Sequence, residues 1–176
     1  AVFLGIGLSG VNDLEVDKGG IPNIRDAVDF ISDLRQTPKI EELPVGREVV
    51  VVGGGMTAID AAVQSKLLGA EKVHLVYRRN REKMSASRHE QDLATSKGVN
   101  IITNAKPNSI ENIGNKIKVG FTYTREENKK LIDTEDNFVL EADQVLKAIG
   151  QKLYNVEAKL ELKNGKIRVD EFGRTS

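Results

Sequence analysis

The fold is decided by Arg47-Glu48-Val49-Val50-Val51-Val52-Gly53-Gly54-Gly55-Met56-Thr57-Ala58-Ile59-Asp60. Four consecutive valines are typical of a strand that is buried on both faces of a parallel sheet. Three glycines then turn the chain, and apolar residues at helical spacing over residues 56–68 predict a helix that ends at Gly69. A second strand is predicted over residues 73–77, so the whole segment has the length of one βαβ unit, about 30 residues.

The glycine turn fits the Gly-x-Gly-x-x-Gly/Ala pattern of a dinucleotide-binding turn, because it follows a strand directly and opens a helix. Gly53 allows the tight turn, Gly55 lacks the Cβ that would keep the backbone away from a pyrophosphate, and Ala58 lets the helix pack closely on the strand. Free N–H groups of the first helical turn favour a diphosphate. The alternative is a purely structural glycine turn, but its position between strand and helix favours binding.

Two arginines, Arg78 and Arg79, follow Tyr77 at the end of the second strand, where the adenine ribose of a dinucleotide is expected. An NAD site has an acidic residue there, whereas guanidinium groups bind a 2′-phosphate. The arginines therefore predict NADP(H) in preference to NAD(H). The alternative is that residues 78–83 are a solvated charge run, but their position after the second strand favours phosphate binding.

The rest of the pattern predicts an α/β fold. The other predicted elements are helices at residues 27–34 and 87–97 and strands at residues 99–102 and 144–148. Apolar alternation at residues 117–123 and 138–140 indicates an antiparallel hairpin or meander, and Asn164-Gly165 predicts one further tight hairpin. We therefore expect a Rossmann-like three-layer dinucleotide-binding domain whose central parallel sheet is capped by an antiparallel β-meander.

Proline and glycine between residues 38 and 46 mark a linker. The predicted segments are a hinge strand, loop and helix over residues 1–46, an NAD(P)H-binding domain over residues 47–150 and a return segment over residues 151–176. The chain opens directly in the apolar run of residues 1–7, which is typical of a strand inside a fold, and it closes on a polar stretch. We therefore expect a fragment of a longer protein.

Composition excludes several classes of site. Basic and acidic residues number 26 each, so no overall electric field attracts nucleic acid or an anionic membrane. Because cysteine is absent, this chain holds no disulfide, iron–sulfur ligand or cysteine nucleophile. No apolar run approaches the roughly 20 residues of a membrane helix. We expect a cytoplasmic protein with no nucleic-acid or membrane partner.

Four further side chains are candidates for a functional role, and most are better explained as structural. His74 is predicted to be a packed or edge histidine, and His89 lacks the second histidine of a metal-binding helix face. Asp60 fits a group on the helix surface or one that supports the site better than a general base. Tyr77 fits a core position and a stacking position near adenine equally well. We therefore predict no catalytic residue and no metal site.

The quoted stretch, with Val76-Tyr77-Arg78-Arg79 and Ala148-Ile149-Gly150, resembles the NAD(P)H domain of the glutamate synthase small subunit family, which includes the flavin-containing part of dihydropyrimidine dehydrogenase. The resemblance covers nearly the whole chain, since residues 2–7, 27–31 and 170–176 resemble the hinges between nucleotide domains in that family. Met84-Ser85-Ala86-Ser87 and His89-Glu90 resemble the dihydropyrimidine dehydrogenase branch slightly more.

The resemblance implies an enzyme in which this domain lies between two halves of an FAD domain. By the same resemblance, the enzyme passes hydride from nicotinamide to FAD, and the electrons continue to an iron–sulfur partner or a synthase large subunit. The cofactor-binding residues implied by matching position are Gly53, Gly54, Gly55, Met56, Thr57 and Ala58 at the pyrophosphate, Arg78 and Arg79 at the 2′-phosphate, and Ala148, Ile149 and Gly150 at the nicotinamide side. The family usually has Asn at the position of Met56, so a polar contact is expected to be missing there. The FAD fingerprint and the cluster cysteines lie outside this chain, so the isolated chain is expected to be inactive.

Two other functions stay open. A stand-alone regulatory module that senses NAD(H) would bind NADH tightly without a flavin partner. A methyltransferase would use the glycine turn for S-adenosylmethionine, but it predicts an acidic residue after the second strand. Arg78 and Arg79 argue against the methyltransferase.

Overall fold

A computed structural model describes residues 3, 5, 7, 8, 10–153, 160–163 and 166–175. Within them the helices are α1 (Ala27–Gln36), α2 (Met56–Leu67) and α3 (Arg88–Ser96). The strands are β1 (Gly10–Val11), β2 (Ile24–Asp26), β3 (Glu48–Gly53), β4 (Lys72–Tyr77), β5 (Val99–Thr103), β6 (Ala105–Ile113), β7 (Lys116–Glu127), β8 (Lys130–Ala142), β9 (Gln144–Ala148), β10 (Gln151–Lys152), β11 (Leu162–Lys163) and β12 (Lys166–Ile167). None of the described helices is long and apolar enough to cross a membrane.

The chain divides into two compact units. The larger unit comprises residues 14–149, and it contains the three helices and the strands β2 to β9. The smaller unit combines residues 1–13 with residues 150–176; in it, β1 pairs with β10 and β11 pairs with β12, both antiparallel. The predicted division into hinge, dinucleotide-binding domain and return segment stays a prediction.

Two predicted elements of the smaller unit fall largely or wholly on residues that the structure does not describe. Asn164-Gly165, the predicted tight turn, lies outside the described residues, although β11 and β12 on either side of it pair as neighbours. The opening run is described only at Phe3, Gly5 and Gly7, and none of these three residues is in a strand.

A five-stranded parallel sheet forms the middle of the larger unit, with the strand order β2-β9-β3-β4-β5. Strand β3 lies at its centre, and Val51 is paired with Leu146 of β9 on one side and Leu75 of β4 on the other. All three side chains are fully buried. Because a central parallel strand is covered on both faces, it takes a continuous apolar run rather than an alternating one. The predicted buried strand is confirmed.

The helices cover one face of this sheet. Successive side chains of a strand point to opposite faces, so Val49 and Val51 face the helical layer. There they share a core with Phe30 of α1 and with Ala58 and Ala62 of α2, none of which is exposed. The small alanines let α2 lie close to the strands, as the sequence predicted. Helices α1, α2 and α3 agree with the predicted helices to within one or two residues at their ends.

The antiparallel sheet β6-β7-β8 covers the opposite face. Val50 and Val52 point to this side and share a second core with Val119 and Phe121 of β7. The ring of Phe138 in β8 stacks on Phe121 with 5.0 Å between their centroids. The predicted three-layer α/β fold with a capping meander is therefore confirmed.

Strand β6 is the element of the meander that the sequence did not predict. It runs from residue 105 to residue 113, contains Pro107, and changes register against β7 between Pro107 and Ser109. Proline lacks the N–H that a ladder requires, and it is tolerated at an edge or an irregularity. Strand β6 is such an edge, which explains why local pattern did not reveal it.

A largely buried ion pair fastens the segment before β2 to the sheet. The Lys147 ammonium of β9 lies 2.8 Å from the Asp17 carboxylate and 3.6 Å from that of Asp26. Burial alone would lower the pKa of Lys147, but the hydrogen bond to Asp17 and the charges of both carboxylates raise it. The hydrogen bond from Lys147 holds the pKa of Asp17 below its ordinary value. Folding therefore stabilises the charged form of each partner.

The variant Asp17→Asn should lower the free energy of unfolding at pH 7 by about 2–3 kcal/mol, because Lys147 stays buried without its nearest carboxylate. The folded pKa of Asp17 lies below the unfolded one, so this stabilisation is complete above the unfolded pKa and disappears as the pH falls through the folded pKa. Urea unfolding between pH 7 and pH 3 should show the difference from the wild type shrinking as the pH falls.

Asp33→Asn is the matched control, since Asp33 pairs with Arg25 and its side chain is 53% exposed. An exposed pair contributes less than about 1 kcal/mol. Equal losses in the two variants, or a loss at Asp17 that does not depend on pH, would contradict the role of the buried pair.

Candidate functional site

The glycine turn lies at the carboxyl edge of the parallel sheet. Strand β3 ends at Gly53, Gly55 precedes the first residue of α2, and Gly53 is paired with Ala148 at the end of β9. From β3 the chain continues to β4 and β5 on one side, whereas β9 lies on the other side. Ligands of open α/β sheets bind at such a reversal of strand order, in the crevice at the carboxyl ends. The turn is therefore where a cofactor site is expected.

The three glycines are required for different reasons. Gly53 has φ +150°, and a Cβ there would overlap with the carbonyl oxygen of Ala148. At Gly54 a Cβ would overlap with the ring of Tyr77. At Gly55 the nearest atom to a built Cβ is Oγ of Ser85, at 3.2 Å, and the backbone is extended, with φ −99° and ψ −179°. The fold thus needs the first two glycines, whereas a Cβ at the third would meet only the end of one side chain, that of Ser85.

The amino end of α2 presents backbone donors. No side chain in the described part of the chain caps this end, and its first turn carries no acidic residue. Met56 is 52% exposed, Thr57 is half-buried and Ala58 is buried. The first N–H groups of a helix have no partner within the helix and sit at the positive end of its dipole. They can bind an anion, and Met56 adds no polar group to them.

The predicted charge run separates into paired and unpaired cations. Arg81 donates to Gln91 at 2.9 Å and to Asp92 at 3.0 Å, and the Lys83 ammonium lies 3.2 Å from Glu126. The adjacent cations are the two arginines after β4, Arg78 and Arg79. Neither of their guanidinium groups has an acidic partner among the residues that the structure describes. Their charge is therefore available to a ligand.

The backbone of the arginine pair is held by two other strands. The hydroxyl of Thr124, in β7, donates to the carbonyl oxygen of Arg78 at 2.7 Å. The N–H of Asn104, between β5 and β6, donates to the carbonyl oxygen of Arg79 at 3.0 Å. Sequence reasoning missed both residues. The available signal was an Asn directly after the predicted strand at residues 99–102, since Asn104 has φ +55°, a conformation that asparagine tolerates better than most residues.

A depression of about 320 Å³ opens beside the arginine pair. Strand β7 and the turn after β5 supply much of its wall. Its lining residues are Arg79, Asn80, Asn104, Thr124, Arg125, Glu126 and Leu131. Most of the lining residues are polar or charged, with Arg79 and Arg125 as cations and Glu126 as the one acidic residue, so the depression suits a polar group.

The loop after the arginines packs against the glycine turn. The N–H of Ala86 donates to the carbonyl oxygen of Gly54 at 3.2 Å, and Met84 and Ala86 are buried. The hydroxyl of Tyr77 donates to the carbonyl oxygen of Lys83 at 2.8 Å. With its ring against Gly54, Tyr77 fits the core interpretation, and it joins the turn to the loop.

The third group of predicted residues lies at and beyond the end of β9. Ala148 stands beside Gly53 in the ladder, and Ile149 packs against the core under the meander. Gly150 has φ +98° and belongs to the smaller unit. The structure therefore brings Ala148 to the glycine turn.

The remaining candidates have structural surroundings. Nδ1 of His74 lies 3.0 Å from the side-chain nitrogen of Asn100, and burial lowers the pKa of His74. Asp60 lies 3.5 Å from a guanidinium nitrogen of Arg35, which joins α2 to α1. His89 is exposed on α3.

Comparison with curated proteins gives relatives whose names include a pyridine nucleotide. The glutamate synthase [NADPH] small chain of Escherichia coli (strain K12) is 33% identical over an alignment of 138 positions, which covers 73% of this chain and 29% of that protein. The NAD-dependent dihydropyrimidine dehydrogenase subunit PreT of the same organism is 28% identical over 173 residues, 98% of this chain and 38% of that protein. This chain therefore spans less than two fifths of the length of either relative.

Solved structures share the fold. A thioredoxin reductase from T. acidophilum superposes with a TM-score of 0.57 at 21% identity, over 73% of this chain and 40% of that one. The family model described as pyridine nucleotide-disulphide oxidoreductase matches residues 2–176, and that family implies binding of FAD and NAD(P). Fold, glycine turn and family match agree, and the chain belongs to the pyridine nucleotide-disulphide oxidoreductase family.

Proposed function

We propose that this chain is the NAD(P)H-binding domain of a longer flavoprotein oxidoreductase and that it binds NADPH in preference to NADH. One observation carries the proposal: the fold requires Gly53 and Gly54, whereas a Cβ at Gly55 would come close to one atom only, the side-chain hydroxyl of Ser85 at 3.2 Å. The backbone of Gly55 suits any residue, and its nearest neighbour is the exposed side chain of Ser85. A ligand that approaches the backbone closely, such as a pyrophosphate, gives a reason for the missing Cβ.

The residues proposed to hold the cofactor come from the ends of β3, β4 and β9. They are Gly53, Gly54, Gly55, Met56, Thr57 and Ala58 for the pyrophosphate, Arg78 and Arg79 for the 2′-phosphate, and Ala148, Ile149 and Gly150 for the nicotinamide side. The bound cofactor supplies a hydride. The contribution of this chain is to bind and orient the cofactor, and none of its residues is proposed to be catalytic.

The preference for NADPH rests on charge. The two relatives differ in name, since one is a glutamate synthase [NADPH] small chain and the other an NAD-dependent dehydrogenase subunit, so family membership alone leaves the preference open. Guanidinium groups form paired, charge-assisted hydrogen bonds with phosphate. Arg78 and Arg79 lie at the end of β4 without acidic partners in the described chain, which supports a site for the 2′-phosphate.

The proposed partner is the FAD-binding domain of the same protein, followed by an iron–sulfur partner or a synthase large subunit. Two observations support this arrangement. The relatives are more than twice as long as the matched region. This chain has no cysteine, so any cluster ligands must lie elsewhere. We expect the isolated chain to bind a dinucleotide without turnover, and a cytoplasmic location stays part of the proposal.

The double variant Arg78→Ala/Arg79→Ala should weaken NADPH binding by about 1–3 kcal/mol, because charge-assisted hydrogen bonds to the extra phosphate are lost. NADH lacks this phosphate, so its affinity should hardly change. Calorimetric titration of the 176-residue chain with each cofactor in one buffer measures both effects.

The control is Arg47→Ala/Lys72→Ala, which removes the same charge from the opposite, amino ends of β3 and β4. There Arg47 pairs with Glu71 and Lys72 with Glu48. It should leave both affinities unchanged. Equal weakening of NADPH and NADH by the Arg78/Arg79 variant would contradict the 2′-phosphate site, and tighter NADH binding by the wild type would favour the NAD(H)-sensing module.

Gly55→Val should weaken binding of NADPH and NADH alike by roughly tenfold or more, because its side chain takes the space assigned to the pyrophosphate. The fold should persist, since the backbone angles suit valine and the Ser85 side chain is exposed. Titration checks binding, and thermal unfolding checks the fold.

The double variant Gly55→Val/Ser85→Ala distinguishes crowding between valine and the ligand from crowding between valine and the Ser85 side chain. It removes the one neighbouring side-chain atom that the new Cβ would approach. Binding should remain weak in this variant. Recovery of binding would mean that valine acted by distorting the protein, and it would remove the main support for a pyrophosphate at this turn.

A further inference from the structure

The meander does more than cover the second face of the parallel sheet. Its middle strand, β7, extends to the loop that carries Arg78 and Arg79. Thr124 of β7 is 4% exposed, and its hydroxyl donates to the carbonyl oxygen of Arg78 at 2.7 Å. A buried hydroxyl group needs a hydrogen-bond partner inside the protein, and the partner of the Thr124 hydroxyl is in the arginine loop.

Backbone bonds complete the connection. The N–H of Thr124 donates to the carbonyl oxygen of Asn104 at 2.7 Å, and the N–H of Asn104 donates to that of Arg79 at 3.0 Å. The chain of contacts therefore runs from β7 through the turn after β5 to the second arginine. Thr124 is linked to both arginines, directly to Arg78 and through Asn104 to Arg79.

The meander is irregular at this point. Thr122 is paired with Asn137 in β8, whereas Thr124 is paired with Asp133, so β8 has extra residues opposite Tyr123. The Thr134 hydroxyl donates to the carbonyl oxygen of Tyr123 at 3.1 Å within this irregularity. Bulges bend a strand and re-aim side chains, and they are common next to functional sites. The register change thus separates the part of β7 that lies over the core from the part that contacts the arginine loop.

The two ends of each arginine are treated differently. Their carbonyl groups are fixed by Thr124 and Asn104, while their guanidinium groups have no acidic partner in the described residues. Because the backbone of the loop is already fixed, less conformational entropy is lost when a ligand binds, and the charge of the arginines is not neutralised. Such an arrangement suits an anion that is recognised by the orientation of the guanidinium groups as well as by their charge.

We propose that Thr124 is a positioning residue that sets the selectivity for NADPH over NADH by holding Arg78 and Arg79 toward the 2′-phosphate. The inference rests on the proposed function, because it assumes that the arginine pair binds this phosphate. It adds a residue from a different layer of the fold, 46 positions away from Arg78 in the sequence.

Thr124→Val tests the proposal, because valine has the same shape and keeps the backbone N–H but has no hydroxyl. Adenosine 2′,5′-bisphosphate and adenosine 5′-monophosphate are the probes, since they differ in the 2′-phosphate and lack nicotinamide. The variant should weaken binding of the bisphosphate by about three- to tenfold, the range for one lost hydrogen bond, and leave the monophosphate unchanged. Thr124→Ser keeps the hydroxyl and should bind both probes like the wild type.

Thr122→Val is the matched control. Thr122 lies two residues away on the same strand and is also buried. Its hydroxyl contacts Asn108 at 2.7 Å and Asn137 at 2.6 Å, within the meander and away from the arginine loop. It should lower stability about as much as Thr124→Val without changing the ratio of the two affinities.

Titration of the four proteins, with Arg78→Ala/Arg79→Ala as a fifth, distinguishes the outcomes. If the double variant loses bisphosphate selectivity while Thr124→Val keeps it, the positioning role is overturned and the proposed function stands. If the double variant keeps selectivity, the 2′-phosphate site is overturned, and the role of Thr124 with it. If Thr124→Val weakens binding of both probes equally, or if Thr122→Val loses as much selectivity as Thr124→Val, the effect is a general one on folding. Either result would also overturn the proposal.

Discussion

The close approach of β3 and β9 at their carboxyl ends is the constraint on which the larger unit depends. Gly53 stands so close to Ala148 that any side chain would overlap with the Ala148 carbonyl oxygen. Because β9 returns beside β3 rather than beyond β5, the strand order reverses at the glycine turn, the position where open α/β sheets bind their ligands. The same contact therefore joins β9 to the centre of the sheet and marks the edge where the cofactor is proposed to bind.

The sequence pattern predicted the elements that are determined by residues close together in the chain. The valines of β3 alternate between the helical core and the meander core, so their unbroken run correctly indicated a strand covered on both faces. Ser87 and Glu90 form a reciprocal cap, and α3 begins where such a cap places it. The glycine turn was also readable, because strand, turn and helix follow one another without interruption.

Contacts between distant residues were beyond the reach of the sequence. Lys147 appears in sequence as one cation in an apolar strand, and only the fold brings Asp17 to it across 130 positions. Thr124 appears as one polar residue in an alternating strand, and its link to Arg78 requires a meander folded over the sheet. Strand β6 carries too weak an apolar alternation, and Pro107 further obscures it. These features depend on topology, which periodicity does not encode.

A chain with no net charge has to build an anion site from local differences in pairing. Arg81 and Lys83 are neutralised by nearby acidic groups, and a sequence run of cations therefore overstates the charge that a ligand meets. Arg78 and Arg79 keep their positive charge unpaired within the described chain. Their backbone is held by a hydroxyl group and a backbone N–H, which add no negative charge. Support by neutral donors holds the loop without neutralising its charge, and under the proposed function it places part of the selectivity in the layer that holds the loop.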